Sequence, residues 1–204
     1  MMSDLGKKSL DIEKLAKKVL KDDNLLFELV ENLKSSEETI RYNSYKVLLH
    51  ITEVRPEVLY SSWDFLEDML ESKNTFWRSS AARLLGNLTM VDSKNKFEKI
   101  FDRYYDLLND SVIIAASITA DSGKIVKAKP KLQSKITNKL LNIDKTNQKH
   151  KDLIKAGAIE SFDEYFEEIK VKKKILKFVR EQLNCESPKT RKKAKEFLEK
   201  WDTR

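Results

Sequence analysis

The chain has 204 residues and a net charge of +7, and it contains 4 glycines, 3 prolines and one cysteine. So few turn-forming residues exclude a β-sandwich or β-barrel, because the many tight turns of those folds depend on glycine and proline. The single cysteine excludes an intrachain disulfide and a multi-cysteine zinc site, and a hydrophobic share of 40% is enough for a sizeable core. We therefore expect one mostly helical domain, residues 1–204, from a reducing compartment.

Apolar residues recur at intervals of three and four along nearly the whole chain, which is the period of an α-helix. Ser35 and Glu38 have the spacing of a capping box, and Ser187 followed by Pro188 marks another helix start. In chain order, the pattern predicts helices at residues 9–21, 23–34, 37–53, 56–71, 75–91, 93–108, 111–127, 130–143, 147–156, 159–184 and 187–202. The element at 159–184 has an alternative division into two helices, because Lys172–Lys174 interrupt its apolar stripe.

The predicted helices form pairs that repeat about every 37 residues. Arg41, Arg78 and Arg191 each stand in the first turns of a helix, eight residues after a leucine that closes the preceding helix. Arg41 and Arg78 are 37 residues apart, and 113 residues, about three such periods, separate Arg78 from Arg191. Gly86 and Gly123 are also 37 apart. Helix pairs that repeat at this length are typical of an α-solenoid.

These motifs resemble the HEAT repeat family, whose unit has a leucine-rich helix, a short turn, an apolar residue before arginine, and a small residue three positions later. The corresponding residues here are Ile40-Arg41 with Ser44, Trp77-Arg78 with Ala81, and Thr190-Arg191 with Ala194. Residues 153–162 are similar to the related armadillo repeat, in which Gly157 would end one helix before the next. The resemblance implies an all-α fold: a right-handed α-α superhelix of about five helix pairs plus an N-terminal cap helix.

The resemblance also implies roles for particular residues. In such arrays the second helix of each pair lines the concave surface, and Arg41, Arg78 and Arg191 would stack one repeat on the next. The family usually places an acidic residue shortly before this arginine; the matching positions here hold Ser35, Ser72 and Cys185. In the third and fourth helix pairs, Ala115 and Asp152 stand where the arginine is expected.

The sequence contains no recognisable catalytic or cofactor-binding constellation. His50 and His150 are a hundred residues apart, and neither has partners at metal-ligand spacing. Cys185 stands near a helix start, where a thiolate is favoured, but a catalytic cysteine also needs a base beside it, and a small turn-packing residue is the favoured interpretation. We therefore expect a protein that is not an enzyme and that needs no metal and no cofactor.

One segment supports an enzymatic alternative. Residues 63–68, Trp63-Asp64-Phe65-Leu66-Glu67-Asp68, faintly resemble a Trp-Asp segment of DNA alkylation-repair glycosylases that are built from HEAT-like repeats. That resemblance implies a tryptophan that covers an exposed base and a carboxylate that stabilises positive charge on the sugar. The competing interpretation is that Trp63, Leu66 and Leu70 form one apolar helix stripe.

Positive charge is concentrated in the second part of the chain. Residues 1–123 carry 17 basic and 21 acidic side chains, a net of −4, whereas residues 124–204 carry 23 and 12, a net of +11. Residues 124–155 hold ten lysines and only two acidic residues. The candidate binding residues are two groups of lysines on consecutive predicted helices: Lys131, Lys135 and Lys139, then Lys149, Lys151 and Lys155.

The most favoured function is a non-catalytic scaffold that binds a protein partner through the concave surface of the array. The alternative is sequence-independent binding of nucleic acid through the lysine-rich half, because lysine supplies point charge without base readout. A solvated lysine face without a partner is the competing structural interpretation. The N-terminal residues 1–9 lack an apolar core, and the longest uncharged run, residues 111–120, is half the length of a membrane-spanning helix. We therefore expect a cytoplasmic protein without a membrane partner.

Overall fold

The structure is a computed structural model and describes residues 2–7 and 9–202. Every regular element in this part of the chain is helical, and no β-strand occurs in it, so the predicted all-α class is confirmed. The chain divides into two compact units, Met1–Lys94 and Asn95–Arg204, called here the N-terminal and C-terminal units. The charge boundary at residues 123 and 124 lies within a helix of the C-terminal unit. The single domain at 1–204 stays a prediction.

The N-terminal unit contains α1 (Met2–Leu5), α2 (Ile12–Val19), α3 (Asp23–Glu31), α4 (Glu38–Val54), α5 (Trp63–Met69) and α6 (Thr75–Leu88). Side chains cap several of these helices, as the carboxylate of Asp22 accepts hydrogen bonds from the backbone N–H groups of Asn24 and Leu25. Helix α4 packs against α2 on one side and α6 on the other. The second helices of successive pairs, α4 and α6, therefore lie side by side.

The start of α4 differs from the prediction. The N-cap residue is Glu37, and no side chain caps the helix. The hydroxyl of Ser35 instead accepts a hydrogen bond from the backbone N–H of Glu37 at 3.2 Å, within the turn before the helix. The predicted capping box between Ser35 and Glu38 is therefore wrong, because the hydroxyl is used to close the turn. The predicted start at Ser187 is confirmed, since its hydroxyl accepts from the N–H of Thr190.

The C-terminal unit contains α7 (Lys96–Asp106), α8 (Val112–Ala128), α9 (Gln133–Leu141), α10 (Lys151–Tyr165), α11 (Lys172–Glu181) and α12 (Pro188–Trp201). Here α10 packs against both α8 and α12, so these three second helices form one row. The first helices α9 and α11 are amphipathic. They bury Ile136 and Leu140 of α9, and Ile175, Phe178 and Val179 of α11, and carry their lysines on the outside.

Helix α10 corrects two predicted elements. It runs without interruption through Gly157, which was expected to end a helix, and the break falls instead at residues 166–171. Gly157 is completely enclosed by α8: a Cβ atom there would lie 2.5 Å from the Thr119 hydroxyl oxygen and 2.8 Å from the Ala120 backbone nitrogen. The glycine is required by close helix packing, and not by a change of chain direction. The alternative division of 159–184 into two helices is confirmed.

Candidate anion-binding surface

The three repeat arginines bind the turns that precede their own helices. In each case Nη1 of Arg41, Arg78 or Arg191 donates to a backbone carbonyl oxygen six residues earlier. The acceptors are Ser35 at 2.8 Å, Ser72 at 2.5 Å and Cys185 at 2.7 Å. These are the positions where an acidic side chain was sought; here the main chain supplies the acceptor. The expected role of the arginines in stacking repeats stays a prediction.

In the C-terminal unit, hydrogen bonds connect the turns of successive helix pairs. The Asn109 side chain accepts from the backbone N–H of Asn147 at 2.8 Å, and the Gln148 amide donates to the carbonyl oxygen of Asp110 at 2.8 Å. Each of these bonds spans 38 residues, close to the period of the sequence repeat. The sequence pattern did not identify these residues as contacts, although their separation of 38 residues is close to the repeat period.

Asp152 makes the corresponding connection to the last helix pair. Its carboxylate accepts from the backbone N–H of Glu186 at 2.9 Å, and its carbonyl oxygen accepts from the hydroxyl of Thr190 at 2.5 Å. The residue therefore fixes the turn before α12 from the neighbouring pair. Its position, where an arginine was expected, is used for contact between pairs.

The second predicted lysine group faces acidic residues. The Nζ of Lys155 lies 2.8 Å from a carboxylate oxygen of Asp144 and 3.4 Å from one of Asp152, and only 7% of its side chain is exposed. Lys151 donates to the carbonyl oxygen of Asp144 at 2.7 Å. Lys149 is exposed in a groove that Asp144, Asp152 and Glu186 also line. The prediction of Lys155 as a binding residue is wrong, because its charge is buried and paired.

The first predicted group is split. Lys139 lies 3.4 Å from a carboxylate oxygen of Asp102 and 3.8 Å from one of Asp106, so neighbouring charge offsets its own. Lys131 and Lys135 are exposed, and no carboxylate pairs with either among the described residues. The six predicted lysines therefore do not share one environment.

Lys135 belongs to a basic groove that the sequence pattern did not predict. The groove has a volume of about 390 Å³ and lies between α9 and the segment that leads into α11. We call it the lysine groove and define it by Lys135, Lys170 and Lys174, which line it. Its other polar lining residues are uncharged, and they are Gln133, Ser134, Thr137 and Asn138. No acidic side chain lines the groove.

Three further exposed lysines stand close in the chain to the residues that line the lysine groove. Lys131 stands in the short 3-10 turn before α9, and Lys173 and Lys177 lie on α11; all three are exposed. None of these three, and none of the three groove lysines, pairs with a carboxylate in the part of the chain that the structure describes. Residues 122–143 and 169–180 contain no acidic residue at all. The run Lys172–Lys174, read in the sequence as an interruption, therefore opens a basic helix.

On the second helices of the C-terminal unit, several lysines are paired with acidic side chains. Glu164 of α10 lies 3.0 Å from Lys127 of α8, and Glu160 lies 3.3 Å from Lys193 of α12. Asp163 accepts a hydrogen bond from Lys200 at 2.8 Å. The hydrogen bond to Glu196, followed by the one to Glu160, raises the pKa of Lys193. Acidic residues of α10 thus offset part of the positive charge of both neighbouring helices.

The remaining candidates are structural in their surroundings. Trp63 is completely buried, and its indole N–H donates to a carboxylate oxygen of Glu67 at 3.1 Å. A buried ring offers no face to a base, so the glycosylase alternative loses the residue on which it rested. His50 is half-buried within α4, and the thiol of Cys185 faces the carbonyl oxygen of Ser187 at 3.6 Å. Among residues 2–7 and 9–202, no three metal-ligating side chains cluster.

No described helix combines the length and the apolar character that crossing a bilayer requires. No protein-family model matches the chain, and no curated protein matches it.

Among solved structures, the chain is similar to the crystal structure of an engineered protein, a target of the Northeast Structural Genomics Consortium. The similarity covers 95% of this chain and 88% of that chain, with 16% sequence identity and a TM-score of 0.51. At this level of identity the match concerns the fold alone, and it supports the all-α architecture.

Proposed function

We propose that this protein is a non-catalytic binding scaffold: a short array of HEAT-like helix pairs, wound as a right-handed α-solenoid, that binds a protein partner through the concave surface of its second helices. Support for the array comes from three features already described. The arginines Arg41, Arg78 and Arg191 repeat one contact with the preceding turn, bonds between turns recur at 38 residues, and second helices pack on one another.

One observation carries the assignment of the binding surface. Most of the large apolar residues that are exposed lie on second helices or directly after one. They are Tyr42 and Val54 of α4, Met90 just after α6, Ile113 of α8 and Leu153 of α10. Exposed aromatic and aliphatic side chains supply the central contacts of protein–protein interfaces, where charged residues are depleted. Among the residues that the structure describes, the first helices contribute Phe27 of α3 and Val171 just before α11.

Affinity capture from an extract of the native cells tests this proposal. The bait would be the full chain, compared with an Ile113→Asp/Leu153→Asp variant. We expect a protein captured by the wild-type chain to be lost with this variant, because each substitution places a charge in a contact that the partner desolvates. The matched control is Phe27→Asp, which changes an equally exposed apolar residue on a first helix. Equal capture by all three baits would contradict a second-helix surface.

A second candidate function is sequence-independent binding of nucleic acid through the lysine-rich half of the chain. The specific observation in its favour is the set of six exposed lysines in and beside the lysine groove, none of which has a carboxylate partner among the described residues. Retention of random-sequence nucleic acid that weakens steeply with salt is the expected behaviour. Absence of retention at low salt would remove this candidate.

A further inference from the structure

We propose that the lysine groove, together with the exposed lysines Lys131, Lys173 and Lys177 that neighbour its lining residues in the chain, binds the phosphate backbone of a nucleic-acid duplex. The inference rests on the nucleic-acid candidate above and is independent of the protein-binding proposal. It names the first helices of the C-terminal unit as the binding elements. Of the six lysines that the sequence pattern predicted, it keeps Lys131 and Lys135 and leaves out Lys139, Lys149, Lys151 and Lys155.

The six lysines carry positive charge that no carboxylate among the described residues offsets. The six lysines stand on two stretches of chain, residues 131–135 and 170–177, that contain no acidic residue. An exposed lysine without a carboxylate partner keeps its full charge available to an incoming anion, and the like charges of its neighbours raise the local potential. A polyanion relieves this repulsion by following the cluster. The charge and the groove thus favour an extended chain of phosphates over a single small anion.

The uncharged polar residues that line the lysine groove can also bind phosphate. Gln133, Ser134 and Asn138 place amide and hydroxyl donors among the lysines. Phosphate oxygens accept hydrogen bonds from these groups, and such contacts fix a protein on the backbone without reading the sequence. Lysine presents a point charge in place of the planar fork of arginine, which further favours backbone contact over base recognition.

The lining also favours a duplex over a single strand. Proteins that bind single strands stack bases on exposed aromatic rings, and no aromatic residue lines the lysine groove. Phe101 lies 5.8 Å from the Nζ of the groove residue Lys135, and Phe166 lies 5.5 Å from the Nζ of Lys172 at the start of α11. Both rings are at least 96% buried and are part of the core.

A lipid surface and an acidic protein fit this groove less well. A basic amphipathic helix binds a membrane by inserting its apolar face, but the apolar face of α11 (Ile175, Phe178 and Val179) is packed in the core. Val171 is the single large apolar residue exposed beside the groove among the described residues. A protein partner would require an apolar centre to its interface, and this surface offers polar groups and charge.

The test uses the full chain and a labelled random-sequence DNA duplex of about two helical turns (~20 base pairs) in fluorescence anisotropy. The variant Lys135→Gln/Lys170→Gln/Lys174→Gln removes three charges from the groove. The matched control, Lys14→Gln/Lys17→Gln/Lys18→Gln, removes three exposed lysines of α2 and changes the net charge equally. Circular dichroism before each titration verifies that both variants keep the helical content of the wild type.

We expect the groove variant to bind the duplex at least about tenfold more weakly near 0.1 M salt, and the control to bind like the wild type. The slope of log K against log salt should become shallower by about 2 to 3, because each lost phosphate contact contributes about 0.9. Duplex binding that is equally weakened in both variants, or in neither, overturns the groove while leaving nucleic-acid binding intact. No duplex binding at low salt overturns both.

Three further probes decide the class of partner: a single strand of the same sequence, phosphatidylserine vesicles and polyglutamate. We expect each to bind more weakly than the duplex to the wild-type chain. Stronger binding of the single strand overturns the duplex assignment, and stronger binding of vesicles or polyglutamate, lost in the groove variant, assigns the groove to a lipid surface or an acidic protein instead.

Discussion

The C-terminal unit has two lysine-bearing surfaces that differ in whether acidic side chains pair with their lysines. On the first helices α9 and α11, the lysines in and beside the lysine groove have no carboxylate partner among the described residues. On the second helices, Lys127, Lys193 and Lys200 are each paired with an acidic residue of α10. Both surfaces contribute to the +11 of residues 124–204, but a larger share of the positive charge is paired on the second helices, where Lys189 and Lys195 of α12 are the exposed lysines without a carboxylate partner among the described residues.

This difference shows that net charge along a sequence does not locate a binding surface. The acidic residues of α10 act between helices that are distant in the chain, so a window of sequence cannot assign them to the lysines they offset. Exposed pairs of this kind contribute little to stability, about 0 to 1 kcal/mol each, yet they decide which lysines a polyanion meets.

The largest effect, on the free energy of unfolding, is expected where α10 packs against α8. This contact places the acidic residue Glu164 of α10 beside Lys127 of α8. Gly157→Leu should lower the free energy of unfolding by about 3 kcal/mol, because the side chain would overlap the backbone at Ala120. Gly157→Ala should also destabilise, although alanine in an unconstrained helix stabilises by about 0.5 to 1 kcal/mol.

Gly123→Ala is the matched control. The atoms nearest to a Cβ there belong to the Glu164 side chain: the carboxyl group at 2.8 Å can rotate away, and the Glu164 Cβ at 3.1 Å requires a shift of a few tenths of an ångström. Urea unfolding monitored by circular dichroism measures all three variants. Equal and small effects at the two glycines would contradict the tight α8–α10 contact.

A buried lysine should affect folding where an exposed one does not. Lys155→Gln should destabilise the protein by about 1 to 2 kcal/mol, because it leaves Asp144 and Asp152 without their shared cation, while the partial exposure of both carboxylates limits the loss. Lys149→Gln, at an exposed neighbouring position, should leave stability unchanged. The midpoint of urea unfolding measures both effects. Equal midpoints for the two variants would contradict the buried, paired state of Lys155.

The acidic residues of α10 can be removed to expose the second surface. Glu160→Gln/Asp163→Asn/Glu164→Gln should raise the affinity for a DNA duplex about fivefold, because it removes the carboxylate partners of Lys127 and Lys200 and leaves Lys193 with Glu196 alone. Fluorescence anisotropy provides the measurement. The control Glu13→Gln/Glu31→Gln/Glu53→Gln makes the same change in net charge at exposed residues of the N-terminal unit. An equal gain in both would mean that overall charge, and not local pairing, governs binding.

The smallest effect is expected in the pH dependence of stability. It arises at a contact between a first and a second helix. The hydroxyls of Thr137 on α9 and Tyr165 on α10 form a hydrogen bond of 3.1 Å, and burial raises the pKa of Tyr165 to about 12. Folding therefore favours the protonated phenol. Its contribution is complete below pH ~10, where the unfolded tyrosine titrates, and is lost as the pH rises towards 12.

Tyr165→Phe should therefore weaken the loss of stability between about pH 10 and pH 12, measured by urea unfolding at several pH values. Burial also raises the pKa of Tyr105, so part of the alkaline dependence should remain in this variant. Tyr42→Phe, at an exposed residue, should behave like the wild type. Identical pH profiles for all three proteins would contradict the buried state of Tyr165.

Much of the fold could be predicted from local pattern. The spacing of leucines and the scarcity of glycine predicted helices throughout, and Ser187 with Pro188 located the start of α12. Gly157 was misread because glycine ends a helix in one context and allows close packing in another, and only the neighbouring helix α8 distinguishes them. The site was predicted less well: Lys131 and Lys135 belong to the unpaired cluster, whereas Lys139 and Lys155 are paired with acidic residues.

The sequence by itself determined the all-α class, the helix-pair period and the excess of lysine in the second part of the chain, because each of these is a local or additive property. Only the tertiary structure decided which lysines remain available. Pairing depends on distances of a few ångströms between residues as far apart in the chain as Lys127 and Glu164, and chain folding sets those distances. The charge that any partner would meet is therefore a property of the packed helices.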